Sequence, residues 1–381
     1  MPDSPPVVED RALQINYFPY LNMVDTPEID FPDLHVKVWN YDLKANDYIE
    51  DPAVKSQIDL IIRANVGRWY EVKDIAIISI GNIDWRPFTA EELEICREVR
   101  LLLFIRTIAR TATIERNPNL HHSLYTTENF TLMTQNFSVS NTVMGITSGF
   151  IKRATDYGFN MAEIKFQRPD HVPAPMQFIG DHRLLDDLLR LRKCQKKLYR
   201  RLLRAIEALS QAYSNDAGLS MSSRIPIIAS AYESLFDLQE QSQRKILKDY
   251  FKNNIAPTYR RKYRYSSQRP INNRYPRGFD WEVEDISVMW VDKFYTLRNK
   301  IIHGTPTKSS EYSFRGKQDH FDIAVIFFIY GLKKIMPSKP QVPNTIDEVH
   351  WKIPQQRNDD WPVYEGFVYE DLDMFRGIRW S

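Results

Sequence analysis

The sequence predicts an α+β protein in three parts: a mixed α/β module over residues 1–175, an all-α bundle over 176–336 and an aromatic-rich extension over 337–381. Three observations predict it. Short runs rich in Val, Ile, Phe and Thr, bounded by Pro, Asn or Gly, fill the first part and read as strands. After the connection His171-Val-Pro-Ala-Pro the helical period takes over almost throughout. Past Met336 the chain carries Pro337, Pro340, Pro343, Pro354 and Pro362 beside Trp351, Trp361, Tyr364, Phe367, Tyr369, Phe375 and Trp380. So much aromatic surface argues for a strap packed on the body rather than a disordered tail.

The expected strands are 12–18, 34–39, 75–80, 130–139 and 161–167. One long helix intervenes. It starts at Thr89-Ala-Glu-Glu-Leu, a hydroxyl cap followed by acids in the first turn, and continues through Leu93, Val99, Leu102, Leu103 and Ile105. The role of this first module is not legible in its residues. In the second part Leu184, Leu188, Leu191, Leu198, Leu202, Ile206 and Leu209 predict one helix over 181–213, stopped by Asn215-Asp-Ala-Gly. A second helix is expected over 222–238, with Ile225, Ile228, Ala229, Tyr232, Leu235 and Phe236 on one stripe. A short basic helix over 241–252 and an irregular stretch to Arg277 come next, then helices over 284–303 and 320–336.

With 43% hydrophobic and 26% charged residues the chain falls in the ordinary globular class, and a net charge of +2 names no partner by itself. Cys96 and Cys194 are too few for a disulfide framework and read as reduced thiols of a cytoplasmic protein. The Pro-rich, acidic first ten residues lack the basic and apolar regions of a signal peptide. The longest apolar runs, 101–105 and 323–330, fall far short of the roughly 20 residues of a membrane span. No C-x-x-C, H-E-x-x-H, Gly-rich phosphate loop or G-x-S-x-G occurs, and His121-His122 sits in a loop among Asn and Pro. No metal and no cofactor is expected, and no membrane partner.

The form R-x4-H occurs three times. Arg116 and His121 enclose Pro118, which forbids a regular helix, and Arg315 and His320 enclose Gly316 in a polar loop at a helix start. Only Arg298 and His303 lie in a strongly patterned helix. At about 100° per residue, Ile286, Trp290, Phe294, Leu297 and Ile301 form one stripe that faces the core. Asn299 and His303 are neighbours on roughly the opposite side, which Val288 and Tyr295 share, and Arg298 lies on the flank between. Gly304 and Pro306 stop the helix. A structural histidine belongs on the apolar stripe, and His303 is off it. A fully solvated histidine would lack the apolar neighbours Val288, Tyr295 and Ile302, which suggest a second contact surface.

The segment Leu297-Arg-Asn-Lys-Ile-Ile-His-Gly304 resembles the signature of the HEPN superfamily, especially its Apea-like branch, in which an R-N-x-x-x-H motif closes a helix of a small bundle. The upstream helix Ile225-Pro-Ile-Ile-Ala-Ser-Ala-Tyr-Glu233 also resembles that family's earlier apolar helix, which often carries an acid at this place. The resemblance spans about residues 180–336. It implies a HEPN-like bundle, a homodimer through these helices, and a cleft in which two copies of the motif meet on a scissile phosphate. Active members of the family are metal-independent endoribonucleases that serve antiphage defence or act as toxins. One toxin branch carries a tyrosine two residues after the histidine; here that place is Thr305, so regulation through such a tyrosine is not expected.

These residue types suit RNA cleavage. The 2′-OH is the nucleophile, so a base, an acid and positive charge beside the phosphate suffice. His303 is suited to either proton transfer, Arg298 offers donors to phosphate oxygens, and Asn299 either orients the imidazole or binds an oxygen. The stretch from Arg244 to Arg277 holds Arg244, Lys245, Lys248, Lys252, Arg260, Arg261, Lys262, Arg264, Arg269, Arg274 and Arg277 against the single acid Asp249, with Tyr259, Tyr263, Tyr265 and Tyr275 interleaved. Cations among aromatics suit single-stranded RNA, and Arg260, Arg261, Lys262, Tyr263, Arg264, Tyr265, Arg269 and Arg274 are the expected contacts. The cations of the first bundle helix, Arg192 to Arg204, read as a solvated face neutralised by the acidic tail. The expectation is a homodimeric endoribonuclease. The alternatives are a non-catalytic RNA-binding or assembly module, and one component of a defence complex whose N-terminal module senses a protein or nucleic-acid trigger.

Overall fold

The computed structural model describes residues 13–23, 26–66, 75–114, 125–139, 143–148, 159–160, 165–170, 172, 180–215, 219–238, 242–255, 262–265, 282–314 and 318–336. The protein is α+β. The chain divides into two compact units: Met1–Ile108, His121–Asp181 and Tyr213–Ala217 form the first; Ala109–Leu120, His182–Ala212 and Gly218–Ser381 form the second. The C-terminal strap expected over 337–381 lies outside the described residues, as do most of the connection at 171–175 and the pair His121-His122.

In the first unit β1 (Leu13–Phe18), β2 (Glu28–Phe31), β3 (Val36–Asn40) and β5 (Ala76–Ile80) join β6 (Met133–Phe137), β7 (Val143–Ser148) and β8 (Phe159–Asn160) in an antiparallel sheet ordered β2-β3-β5-β1-β6-β7-β8. β4 (Asn65–Val66) pairs in parallel with β9 (Phe166–Gln167), the described part of the strand expected over 161–167. Alternation puts Leu13, Ile15 and Tyr17 of β1 on one face. There they meet Trp39 and the buried sides of α1 (Tyr41–Tyr48) and α2 (Pro52–Ala64) in one core. Asn40 caps α1 through the Leu43 N–H at 3.0 Å, and Asp51 caps α2 through the Ala53 N–H at 2.8 Å with Pro52 in the first turn. The long helix is α3 (Ala90–Ile114). Its start is a capping box: the Glu92 N–H donates to Thr89 Oγ1 at 3.2 Å and the Thr89 N–H to Glu92 Oε2 at 2.8 Å.

The second unit is helical. The helix expected over 181–213 is two, α4 (His182–Cys194) and α5 (Lys196–Ala212). They meet at Gln195, whose N–H still donates to Leu191 O and whose carbonyl still accepts from the Tyr199 N–H. The apolar period therefore runs through the break, which is why it was invisible in sequence. α6 (Met221–Phe236) packs against α5, and against α8 (Ile286–Ile302) and α9 (His320–Ile335); α7 (Gln243–Tyr250) packs against α8. Tyr232 of α6 is fully buried among Trp290, Phe294 and Phe328, and its hydroxyl donates to Ala324 O at 2.6 Å. Trp290 in turn stacks on Phe294 with centroids 5.0 Å apart and touches Phe251 and Phe327. This aromatic core holds α8 against its neighbours.

The stretch before α8 is not wholly irregular. β10 (Lys262–Tyr265) pairs antiparallel with β11 (Glu282–Asp285), which runs directly into α8. Likewise β12 (Ser313–Phe314) pairs with β13 (Gln318–Asp319) just before α9. Among the described residues no helix is long and apolar enough to cross a membrane.

Candidate functional site

The structure alters the expected facing of α8. Val288 and Tyr295 are 2% and 1% exposed, so the side expected to be a second contact surface is closed within the chain over the first turns. Ile301, expected in the core, is only half-buried, while Trp290, Phe294 and Leu297 are buried as expected. As far as Leu297 the helix is buried on both its apolar stripe and the side of Val288 and Tyr295, with Lys293 exposed, and it opens further at its last turn. Asn299 is half-buried there, Ile302 is 48% exposed and His303 is exposed.

The end of α8 is closed by a Schellman motif. The Thr305 N–H donates to Lys300 O at 2.8 Å and the Gly304 N–H to Ile301 O at 3.0 Å, with Gly304 at φ +66°. His303 is the last residue before that turn, and its own N–H donates to Asn299 O at 3.0 Å. Lys300 ties the next segment down through Glu311 at 2.8 Å, which holds the Glu311 carboxyl below its usual range. Nothing stands within 4 Å of a Cβ added at Gly304. Gly304→Ala therefore costs stability through backbone conformation alone, about 1 kcal/mol. Urea unfolding should show that loss, and Gly304→Asn a smaller one; equal stability of all three would remove the left-handed residue from the account.

Arg298 is held from behind. Its Nη2 donates to Glu233 Oε1 on α6 at 3.1 Å, and its Nη1 to Asn299 Oδ1 at 3.1 Å. The two ion-pair side chains are 21% and 19% exposed. Burial raises the Glu233 carboxyl above its usual range, and the Arg298 guanidinium pulls it part of the way back. Tyr295 lies one turn below Asn299. Its phenol is pushed far up, first by burial and then by Glu233. Among the described residues the Tyr295 hydroxyl and Arg298 Nε are buried without a hydrogen-bond partner.

Of the residues expected at the site, Arg298, Asn299 and His303 do come to one helix end. The side-chain oxygen of Asn299 accepts from Arg298. Among the described residues the His303 side chain has no hydrogen bond, which leaves it open to solvent. Glu233 belongs to the cluster as well. Its place in the upstream apolar helix was the only sequence signal for it, since the ion pair joins residues 65 apart. His320 is not in a polar loop. It is 3% exposed between Phe294 and Phe314, and burial followed by Lys293 pushes its imidazole down to about 4.

The expected RNA contacts are placed only in part. Lys262, Tyr263, Arg264 and Tyr265 form strand β10, in register with Asp285, Glu284, Val283 and Glu282. Three of those four register partners are acids. Arg260, Arg261, Arg269 and Arg274 lie outside the described residues. Cys96 is buried and Cys194 exposed, both free thiols. Among the described residues no group of three or more His, Cys, Asp or Glu side chains could hold a metal ion. Compared with known proteins, the chain matches no family model, no curated protein and no solved structure.

Proposed function

We propose that the end of α8 is one half of a metal-independent endoribonuclease site of the HEPN type, completed by the same residues of a second copy. The observation that carries this reading is the open His303 side chain on a helix end that a stop motif holds in place, beside a guanidinium fixed by Glu233. One His303 takes the proton of the RNA 2′-OH as the O2′–P bond forms. The P–O5′ bond breaks, and the partner subunit's His303 gives a proton to the leaving O5′. The products are a 2′,3′-cyclic phosphate and a 5′-hydroxyl. Arg298 supplies positive charge beside the phosphate, with Nη hydrogens not used by Glu233 or Asn299. Antiphage defence or toxicity is the role we attach to this activity, from the family resemblance.

A second reading has an observation in its favour. Arg298 directs a hydrogen bond from each amino group to a partner inside its own subunit, as an arginine with a structural role would. On that reading the helix end binds RNA or assembles a complex without cutting. Incubation of the protein with labelled RNA in EDTA separates the two. Cyclic-phosphate ends on the fragments are the expected result; intact RNA at every protein concentration would leave only the second reading.

A further inference from the structure

A groove of about 470 Å³ lies where α7 packs on α8, lined by Arg244, Lys245, Lys248 and Lys252 with Asp249, and floored by Val288. Its cations are arranged, not scattered. Asp292 of α8 accepts from Arg244 Nε at 2.9 Å and faces Lys248 Nζ at 3.4 Å, so it draws those two side chains along α8. Lys245 and Lys252 are exposed and have no acidic partner among the described residues. The groove therefore keeps uncompensated positive charge beside an apolar floor.

Its position relative to the helix end follows from α8 itself. At 100° per residue, Val288, Asp292, Asn299 and His303 fall within about 60° of one another, on one face of one helix. Asp292 and His303 are separated along that face by about 16 Å of helix axis, at 1.5 Å per residue. Tyr295 lies on this face between them and is buried, so an RNA strand that meets both the cations of α7 and the imidazole passes over the cover of Tyr295 and spans at least that distance. No such line joins the cluster to the Glu233 side of Arg298, which is turned toward α6.

We propose that the α7 groove is a phosphodiester-binding subsite that holds single-stranded RNA a few nucleotides away from the link placed at His303. The proposal rests on the ribonuclease reading above. It moves the main RNA contact from strand β10, whose register partners are mostly acids, to Lys245 and Lys252 with Arg244 and Lys248. The groove binds the backbone as a run of negative charges, so it is indifferent to base identity, and its contribution is salt-sensitive.

The test measures binding of a fluorescein-labelled oligouridylate by anisotropy, in full-length His303→Ala protein so that the RNA stays whole, over a range of salt concentrations. Replacing both Lys245 and Lys252 by alanine should lower the slope of log affinity against log salt by about 1.4, since each phosphate of a single strand that a cation neutralises adds about 0.7. The control, Lys196→Ala with Lys197→Ala on α5, removes the same charge from another helix and should leave the slope unchanged. Circular dichroism checks that both variants are folded. An equal loss in the control, or no loss in the α7 variant, overturns the proposal. So does displacement of the RNA by polyglutamate at matched charge concentration, which would assign the groove to acidic proteins. Absence of RNA binding altogether overturns both this subsite and the ribonuclease reading. A groove-dependent slope with no cleavage by the wild-type protein keeps the subsite and sinks the ribonuclease alone.

Discussion

Replacing His303 by alanine should reduce RNA cleavage in EDTA by at least about a hundredfold, the lower end of what a general acid or base contributes. The fold should not notice. The imidazole is exposed and makes no hydrogen bond among the described residues, and alanine keeps the backbone bond from the residue's N–H to Asn299 O. The expected change in unfolding free energy is therefore within about 0.5 kcal/mol. A site shared between two copies adds a second signature: excess His303→Ala protein, mixed with wild-type under conditions that exchange subunits, should suppress the wild-type activity. Single-turnover cleavage and thermal melts measure all three. Undiminished cutting by the variant would end the proposed role of this histidine, and a large loss of stability would make it structural.

The Glu233–Arg298 pair should show the largest effect on stability, and an asymmetric one. Removing either partner leaves a charge part-buried and unpaired. For fully buried pairs that costs roughly 3–5 kcal/mol; with both side chains about a fifth exposed, about 2–3 kcal/mol is expected. The two halves differ in what they can do about it. Glu233→Ala removes the titrating group and leaves a guanidinium that stays charged at every accessible pH. Because the wild-type Glu233 carboxyl is itself raised, the loss relative to wild type is somewhat larger near pH 5 than near pH 8. Arg298→Ala leaves a carboxylate that can take up a proton. Burial already raises that carboxyl and Arg298 opposes the rise, so losing Arg298 raises it further.

The native state of this variant then binds a proton that the unfolded chain has released. Native protons outnumber unfolded ones in the window that opens at the ordinary glutamate value and closes at the folded one, so stability falls as pH rises through it. Arg298→Ala should accordingly be closer to wild type near pH 5 than near pH 8. Urea unfolding at both pH values decides it. Parallel pH profiles for the two variants would show that Glu233 does not titrate against Arg298. The same pair explains how Arg298 serves a reaction: a guanidinium anchored from below presents its remaining hydrogens in a fixed direction.

What was legible before any coordinates were the features that depend on near neighbours. The Thr89 start of α3 and the Gly304 stop each rest on residues within a turn of one another, and their residue types name them. Strands β1, β3, β5 and β6 announced themselves by apolar runs, whereas β2, with only Glu-Ile-Asp-Phe, carried too short a pattern to separate from a loop. The helices α1 and α2 escaped notice too. α1 has a buried side of only Tyr41 and Ala45, and α2 hides its stripe among residues that also suit a strand.

By itself the sequence determined where most of the strongly patterned elements begin and end, which helix carries Arg298, Asn299 and His303, and that the three close it together. Only the tertiary structure decided which of those side chains remain open. α7 arrives from elsewhere in the chain to pack on α8, and Val288 and Tyr295 are buried far more deeply than their side of the stripe suggested. Glu233 arrives from α6 to pin Arg298, and β11 arrives to put Asp285 in register with Lys262. The physical reason is one of range. Apolar period and capping chemistry act over a few residues, while burial and ion pairing are set by whichever distant surface the fold brings alongside.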